Sequence, residues 1–143
     1  MSTKINPITP EEQASWPKSV VVELPKPFID DRGSIQPLVD VPMQSCVLIS
    51  SKRGTVRANH YHRTDWHYCY VLEGEIEYYE RPHGTDEAPE KTIINKGQMF
   101  FTAPQIDHAM VFTQDTVFLT WGRNSRTQEI YEADLVRIPP INP

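Results

Sequence analysis

The sequence predicts an all-β domain of short strands, and three observations carry that expectation. Proline is frequent and glycine modest, 13 and 6 residues in 143, which disfavours long helices. Short runs rich in Val, Ile, Tyr, Phe and Thr recur from about residue 20. Between them stand turn signals such as Asp31-Arg32-Gly33, Arg53-Gly54, Glu73-Gly74, Asn95-Lys96-Gly97 and Gly122-Arg123-Asn124-Ser125, at the spacing of a sandwich or closed barrel. The length fits one domain, residues 1–143, and 38% apolar residues suffice for one core.

The elements follow in order. Thr9-Pro10-Glu11-Glu12 has the hydroxyl, proline and glutamate spacing of a capping box, so one short helix starts here, and Trp16-Pro17 ends it. Residues 1–18 therefore form an N-terminal arm. The β-branched run at 19–24 reads as the first strand, and residues 34–39, 45–50, 55–61, 66–72, 75–80, 91–94, 99–102, 109–112 and 117–121 read as those that follow. Glu73-Gly74 splits two alternating runs and predicts a tight hairpin, while residues 81–90 form a polar loop. The strands span about 20–135, and three prolines after Ile138 predict an extended tail.

Charge and composition narrow the function. A net charge of −5 argues against a nucleic-acid or anionic-membrane partner, which would call for a basic excess. The start is polar where a signal peptide would be apolar, and no apolar run is long enough to cross a membrane, so a cytoplasmic protein acting on a small molecule is expected. Cys46 and Cys69 lie in apolar runs without C-x-x-C spacing and read as two reduced core thiols.

Four of the five histidines form a pattern. His60 and His62 alternate on one strand and share a face, His67 opens the next strand, and His108 precedes a later one. Converging imidazoles suit one divalent transition metal, Fe, Mn, Ni, Zn or Cu, with positions left for water or substrate. His83, in the polar loop, reads as solvated. Strand alternation turns Tyr70 and Arg57 away from the ligand face, and Asp107 sits in a turn beside His108.

These residues carry a resemblance. Gly54, His60-x-His62, His67 and Gly74 match the spacing of the first signature of the cupin family, and Gly97 and His108 match the ends of the second. His67 stands where most metal cupins carry glutamate. Pro104 is one place late, and Gln105 occupies a glycine position. The resemblance implies a double-stranded β-helix, the jelly-roll barrel, with His60, His62, His67 and His108 as metal ligands. Asp30-Asp31-Arg32-Gly33 and Arg53-Gly54-Thr55-Val56-Arg57-Ala58-Asn59-His60-Tyr61 resemble segments of the cupins that act on nucleotide-linked sugars, with Ala58 at a usual glycine. That implies an enzyme, an epimerase or isomerase, drawing a proton from the carbon beside a sugar carbonyl with a metal polarising the carbonyl. Tyr70 and Asp107 are then candidates to move protons, and Arg57, Arg63 and Lys52 to bind an anionic sugar. A metal-dependent cupin dioxygenase and a non-catalytic ligand-binding cupin remain open alternatives. Unpaired strand edges in so small a fold make a homodimer the expected assembly.

Overall fold

A computed structural model describes residues 5–143. Thr9 caps the first helix as expected. Its hydroxyl accepts from the Glu12 amide at 3.1 Å at the start of α1 (Pro10–Ala14). The capping box is only half formed, because the Glu12 carboxylate instead accepts from Trp66 Nε1 at 2.8 Å and Arg123 Nε at 2.6 Å. The glutamate that the sequence offers to the helix thus fastens the arm to the body of the fold.

The strands are β1 (Val21–Val22), β2 (Phe28–Asp30), β3 (Gly33–Ile35), β4 (Ser45–Ser51), β5 (Val56–His62), β6 (His67–Glu73), β7 (Glu75–Pro82), β8 (Glu90–Asn95), β9 (Met99–Thr102), β10 (Ile106–Phe112), β11 (Thr116–Gly122) and β12 (Leu135–Arg137). One sheet runs β1-β9-β6-β11-β4 and a second runs β12-β5-β10-β7-β8, with β2 and β3 as a separate hairpin; all pairings are antiparallel. The sheets face each other as a jelly roll without closing edge to edge, so the closed form of the expected barrel is corrected to an open sandwich. The segment at 34–39 is extended only as far as Ile35, and the run at 19–24 pairs only at Val21 and Val22.

Alternation on facing strands makes the core. Val71, Ile76, Tyr78, Ile94, Phe100, Phe112 and Phe118 fill the space between the sheets. Each such side chain contributes roughly 1.5–3 kcal/mol on burial. Trp66, Tyr68, Met99 and Phe101 point from the first sheet's other face, where Trp16, Leu38, Val41 and Met43 cover them. The aromatics at strand positions therefore pack the fold.

A second helix, α2 (Gln128–Asp134), stands where only strand and turn were expected. Thr127 precedes a seven-residue run without glycine or proline, so the signal was present but short. Beyond β12, the tail docks on β5. Ile138 N donates to the Asn59 carbonyl at 3.1 Å, Ile141 N donates to Asn59 Oδ1 at 2.9 Å, and Asn59 Nδ2 donates to Asn142 Oδ1 at 2.9 Å.

Backbone strain concentrates beside the histidines. Ala58 (φ 72°) and Asn59 (φ 53°) are left-handed, and so is Gln105 (φ 64°), at the glycine position of the second signature. Side chains other than glycine pay about 1–2 kcal/mol for that conformation. Replacing Ala58 with glycine is therefore expected to raise stability by about 0.5–1 kcal/mol, part of the relief being lost to the freer unfolded chain. Urea denaturation measures it, and an unchanged or lowered midpoint would contradict the strain.

Candidate metal centre

An irregularity in β5 sets the centre. His60 pairs with His108, yet the next pair is Ala58 with Ala109, so Asn59 is an extra residue on the β5 side. Such a bulge shifts the alternation by one. Upstream of it Arg57 lies opposite Met110, which packs against the core, so Arg57 shares the inner side with the histidines rather than facing away. It is nevertheless engaged: Arg57 Nε donates to Ser51 Oγ at 2.7 Å and Nη2 to the Ser50 carbonyl at 3.0 Å.

Downstream of the bulge, His60 and His62 point inward beside His108, and ligand nitrogens of all three lie within 4.8 Å of one another. Their second nitrogens are accounted for where the structure buries them. His62 Nδ1 donates to Asp134 Oδ2 at 2.9 Å, and His108 Nδ1 donates to the Ile106 carbonyl at 3.0 Å. Each ring is thereby held in the tautomer that leaves Nε2 with a lone pair. His62 Nε2 is buried and has no hydrogen-bond partner. A buried nitrogen acceptor left unpaired is costly, so the three-imidazole set fits a divalent transition metal.

Electrostatics agree. Burial first, then the neighbouring rings, pushes the His60 imidazole down to about 3, and burial likewise lowers His62 and His108. All three stay neutral, the form that binds metal. Burial opposes the charge of Asp134, but donors from His62 and Thr64 outweigh it and hold the carboxyl below its usual range. Thr64 alone gives two hydrogen bonds to Asp134 Oδ1, from its amide at 2.8 Å and its hydroxyl at 2.6 Å.

His67 is beside the cluster but outside it. Its ring centroid is 4.8 Å from that of His62, its Nε2 donates to Asp65 Oδ2 at 2.9 Å, and it does not join the three histidines whose ligand nitrogens converge within 4.8 Å. The Asn124 amide donates to the other Asp65 oxygen at 2.9 Å. Gly122 makes room for this ring, because a Cβ there would lie 3.1 Å from His67 Cδ2.

The other nominated residues lie elsewhere. Tyr70 packs with the cluster on the first sheet's outer face, as strand alternation required, and cannot serve the histidines. Asp107 turns away from them, accepting from His83 Nδ1 at 2.8 Å and Arg81 Nε at 3.2 Å. His83 is thus not simply solvated; it also stacks on Tyr61 with centroids 3.7 Å apart. Arg63 Nη1 donates to the Ala133 carbonyl at 3.0 Å. Lys52 follows β4 directly, near the start of β5, whereas His60 and His62 lie at its end. Burial lifts the Cys69 thiol to about 12, consistent with an inert core residue, whereas Cys46, expected in the core as well, is exposed on β4 because strand alternation turns it to the outer face. Sequence reasoning missed Asp134, because a carboxylate 72 positions from the histidine it orients leaves no mark in local spacing, and missed Asp65, because an acidic residue two places before His67 reads as an ordinary turn residue.

A two-sheet jelly roll with imidazoles on its inner face defines a double-stranded β-helix protein with a candidate metal centre. The Cupin_2 model, described as a cupin domain, matches residues 47–122, more than half of the chain, and the chain belongs to the cupin family. No curated protein is similar enough in sequence to be matched. Among solved structures, a double mutant of a 3,4-ketoisomerase from Thermoanaerobacterium thermosaccharolyticum, in complex with TDP, is similar at 21% identity and a TM-score of 0.66, over 82% of this chain and 86% of the other. The dTDP-4-dehydrorhamnose 3,5-epimerase from Sulfolobus tokodaii gives 19% and 0.64, over 80% and 74%. A 3′-monoepimerase from Streptomyces bikiniensis, bound to dTDP-quinovose, gives 15% and 0.66, over 82% and 68%.

Two outcomes follow from the geometry. In competition with a chelator, His62→Ala should lose metal altogether and Asp134→Asn should bind it about 10- to 100-fold more weakly. Equal retention by both variants and the parent would refute the centre. In chelator-treated protein, unfolded histidines take a proton below about 6.5 whereas folded His60 does so only near 3. The unfolded chain therefore binds more protons in that window, and stability must fall as the pH drops from about 6.5 towards 3. Each such histidine contributes up to about 1.4 kcal/mol per pH unit, so His60→Asn should flatten the fall in thermal midpoint between pH 7 and 5.

Proposed function

We propose that this cupin is an enzyme that epimerises or isomerises a sugar-nucleotide carbonyl, with a divalent transition metal held by His60, His62 and His108. The observation that carries the reading is the buried, unpartnered His62 Nε2 among three converging imidazoles, in a fold similar to a ketoisomerase in complex with TDP and to epimerases. When bound, the metal would supply a Lewis acid that polarises the sugar carbonyl.

The chain's own residues supply the rest. His67, whose Nε2–H donates to Asp65, keeps Nδ1 as the acceptor for a proton from the carbon beside the carbonyl. Asp65 fixes that tautomer and stabilises the imidazolium formed when Nδ1 is protonated. Asp134 orients His62, and Thr102 and Thr120 line the inner face beside His67 and Cys69. Access to the histidines is on the His60 side, since His60 is partly exposed while His62 and His108 are buried. The exposed Phe28, Ile29, Ile35 and Leu48 support the homodimer.

The test is solvent isotope exchange. Metal-loaded protein in deuterium oxide should label TDP-4-keto-6-deoxyglucose, the compound bound by a point mutant of the same ketoisomerase, at a carbon next to the carbonyl and without oxygen uptake. His67→Asn should slow the exchange by about 10²–10⁴-fold with metal content unchanged. Absence of exchange across 4-keto sugar nucleotides would overturn the proposal, and Fe(II)-dependent oxygen consumption would replace it with a dioxygenase.

A further inference from the structure

The arginines around the histidine centre differ in how much of their bonding capacity the protein itself consumes. Arg57 and Arg63 are fastened to backbone and hydroxyl acceptors. Arg137, which pairs with His60 across β12 and β5, donates through both terminal nitrogens to Glu132 at 3.0 Å. Arg126 is different. Among the described residues its guanidinium has no hydrogen-bond acceptor and no carboxylate partner.

It is nevertheless held in place. Its Cζ lies 3.9 Å from the centroid of the Tyr131 ring, and that ring lies 6.1 Å from His62. Arg126 is itself exposed, so its donors are open to a ligand arriving from solvent. A cation–π contact fixes a guanidinium without using any of its five N–H donors. The donor fork stays available, and its planar geometry matches two oxygens of a phosphate. In a chain of net charge −5, an unspent arginine seated on the ring that neighbours His62 is a specific feature rather than part of a basic surface.

We infer that Arg126, steadied on Tyr131, binds a phosphate of a nucleoside diphosphate and so positions the attached sugar over the histidine centre. This rests on the sugar-nucleotide reading above and names the residue that would make it selective for an anion.

Calorimetric titration of metal-loaded protein with TDP, inorganic pyrophosphate and thymidine tests it. TDP and pyrophosphate should bind and thymidine should not. Arg126→Gln should weaken both anions by about 10- to 100-fold, the worth of a charge-assisted hydrogen bond. Arg126→Lys should recover part of the loss, both Arg126 variants keeping metal content and thermal midpoint unchanged, and Tyr131→Leu should weaken both anions by a smaller factor. Unchanged affinity in Arg126→Gln would overturn the assignment, as would failure of the parent protein to bind either anion. The two proposals fail separately. Anion binding that depends on Arg126 without isotope exchange would sink the reaction alone, and exchange with Arg126→Gln binding TDP as tightly as the parent would sink this site alone.

Discussion

The geometry of the centre depends on one surplus residue. Asn59 has no partner in the ladder between β5 and β10, and the alternation on its two sides is therefore out of phase. Without it, Arg57 and the histidines could not occupy the inner side of the same strand. The conformation is unfavourable for alanine and asparagine, and three hydrogen bonds between the C-terminal tail and Asn59 offset it. The last residues of the chain thus secure a strand that lies some 80 positions earlier.

Around this strand the fold divides its interior. Phenylalanine, isoleucine and tyrosine fill one end, and four imidazoles with two buried carboxylates occupy the other. Burying so many polar groups is tolerable only where each finds a partner. Asp65 and Asp134 meet that condition through backbone amides, Thr64 and histidines, whereas His62 Nε2 does not. The pairing of carboxylates with His62 and His67 also separates their roles, since one ring offers Nε2 and the other Nδ1.

Much of this was legible in the chain. Alternation located most strands and the outward direction of Tyr70, because side-chain period survives without knowledge of partners. The spacing of His60, His62 and His108 also located the centre. The tight hairpin expected at Glu73-Gly74 does not form: β6 pairs with β9 and β11 and β7 with β8 and β10, so at Gly74 the chain crosses from one sheet to the other. What stayed hidden was whatever depended on pairing. A bulge cannot be seen from one strand, so simple alternation puts Arg57 on the opposite side from the one it occupies, and the pairing of His67 with Asp65 is equally invisible in the spacing of the histidines. The departures at Ala58 and Gln105 from expected glycines proved to be changes of side chain only, since both keep the left-handed backbone. Helix α2 was passed over because a seven-residue segment carries little periodic signal.

That short helix carries a thermodynamic consequence. A peptide of its length does not hold helical form by itself, yet Asp134 ends it and is gripped by His62 and Thr64. Any occupant that stabilises His62 in its present tautomer therefore also stabilises α2, and by reciprocity an ordered α2 tightens hold on the occupant. Filling the interior and ordering the helix that sets Tyr131 beside His62 are in this sense a single equilibrium.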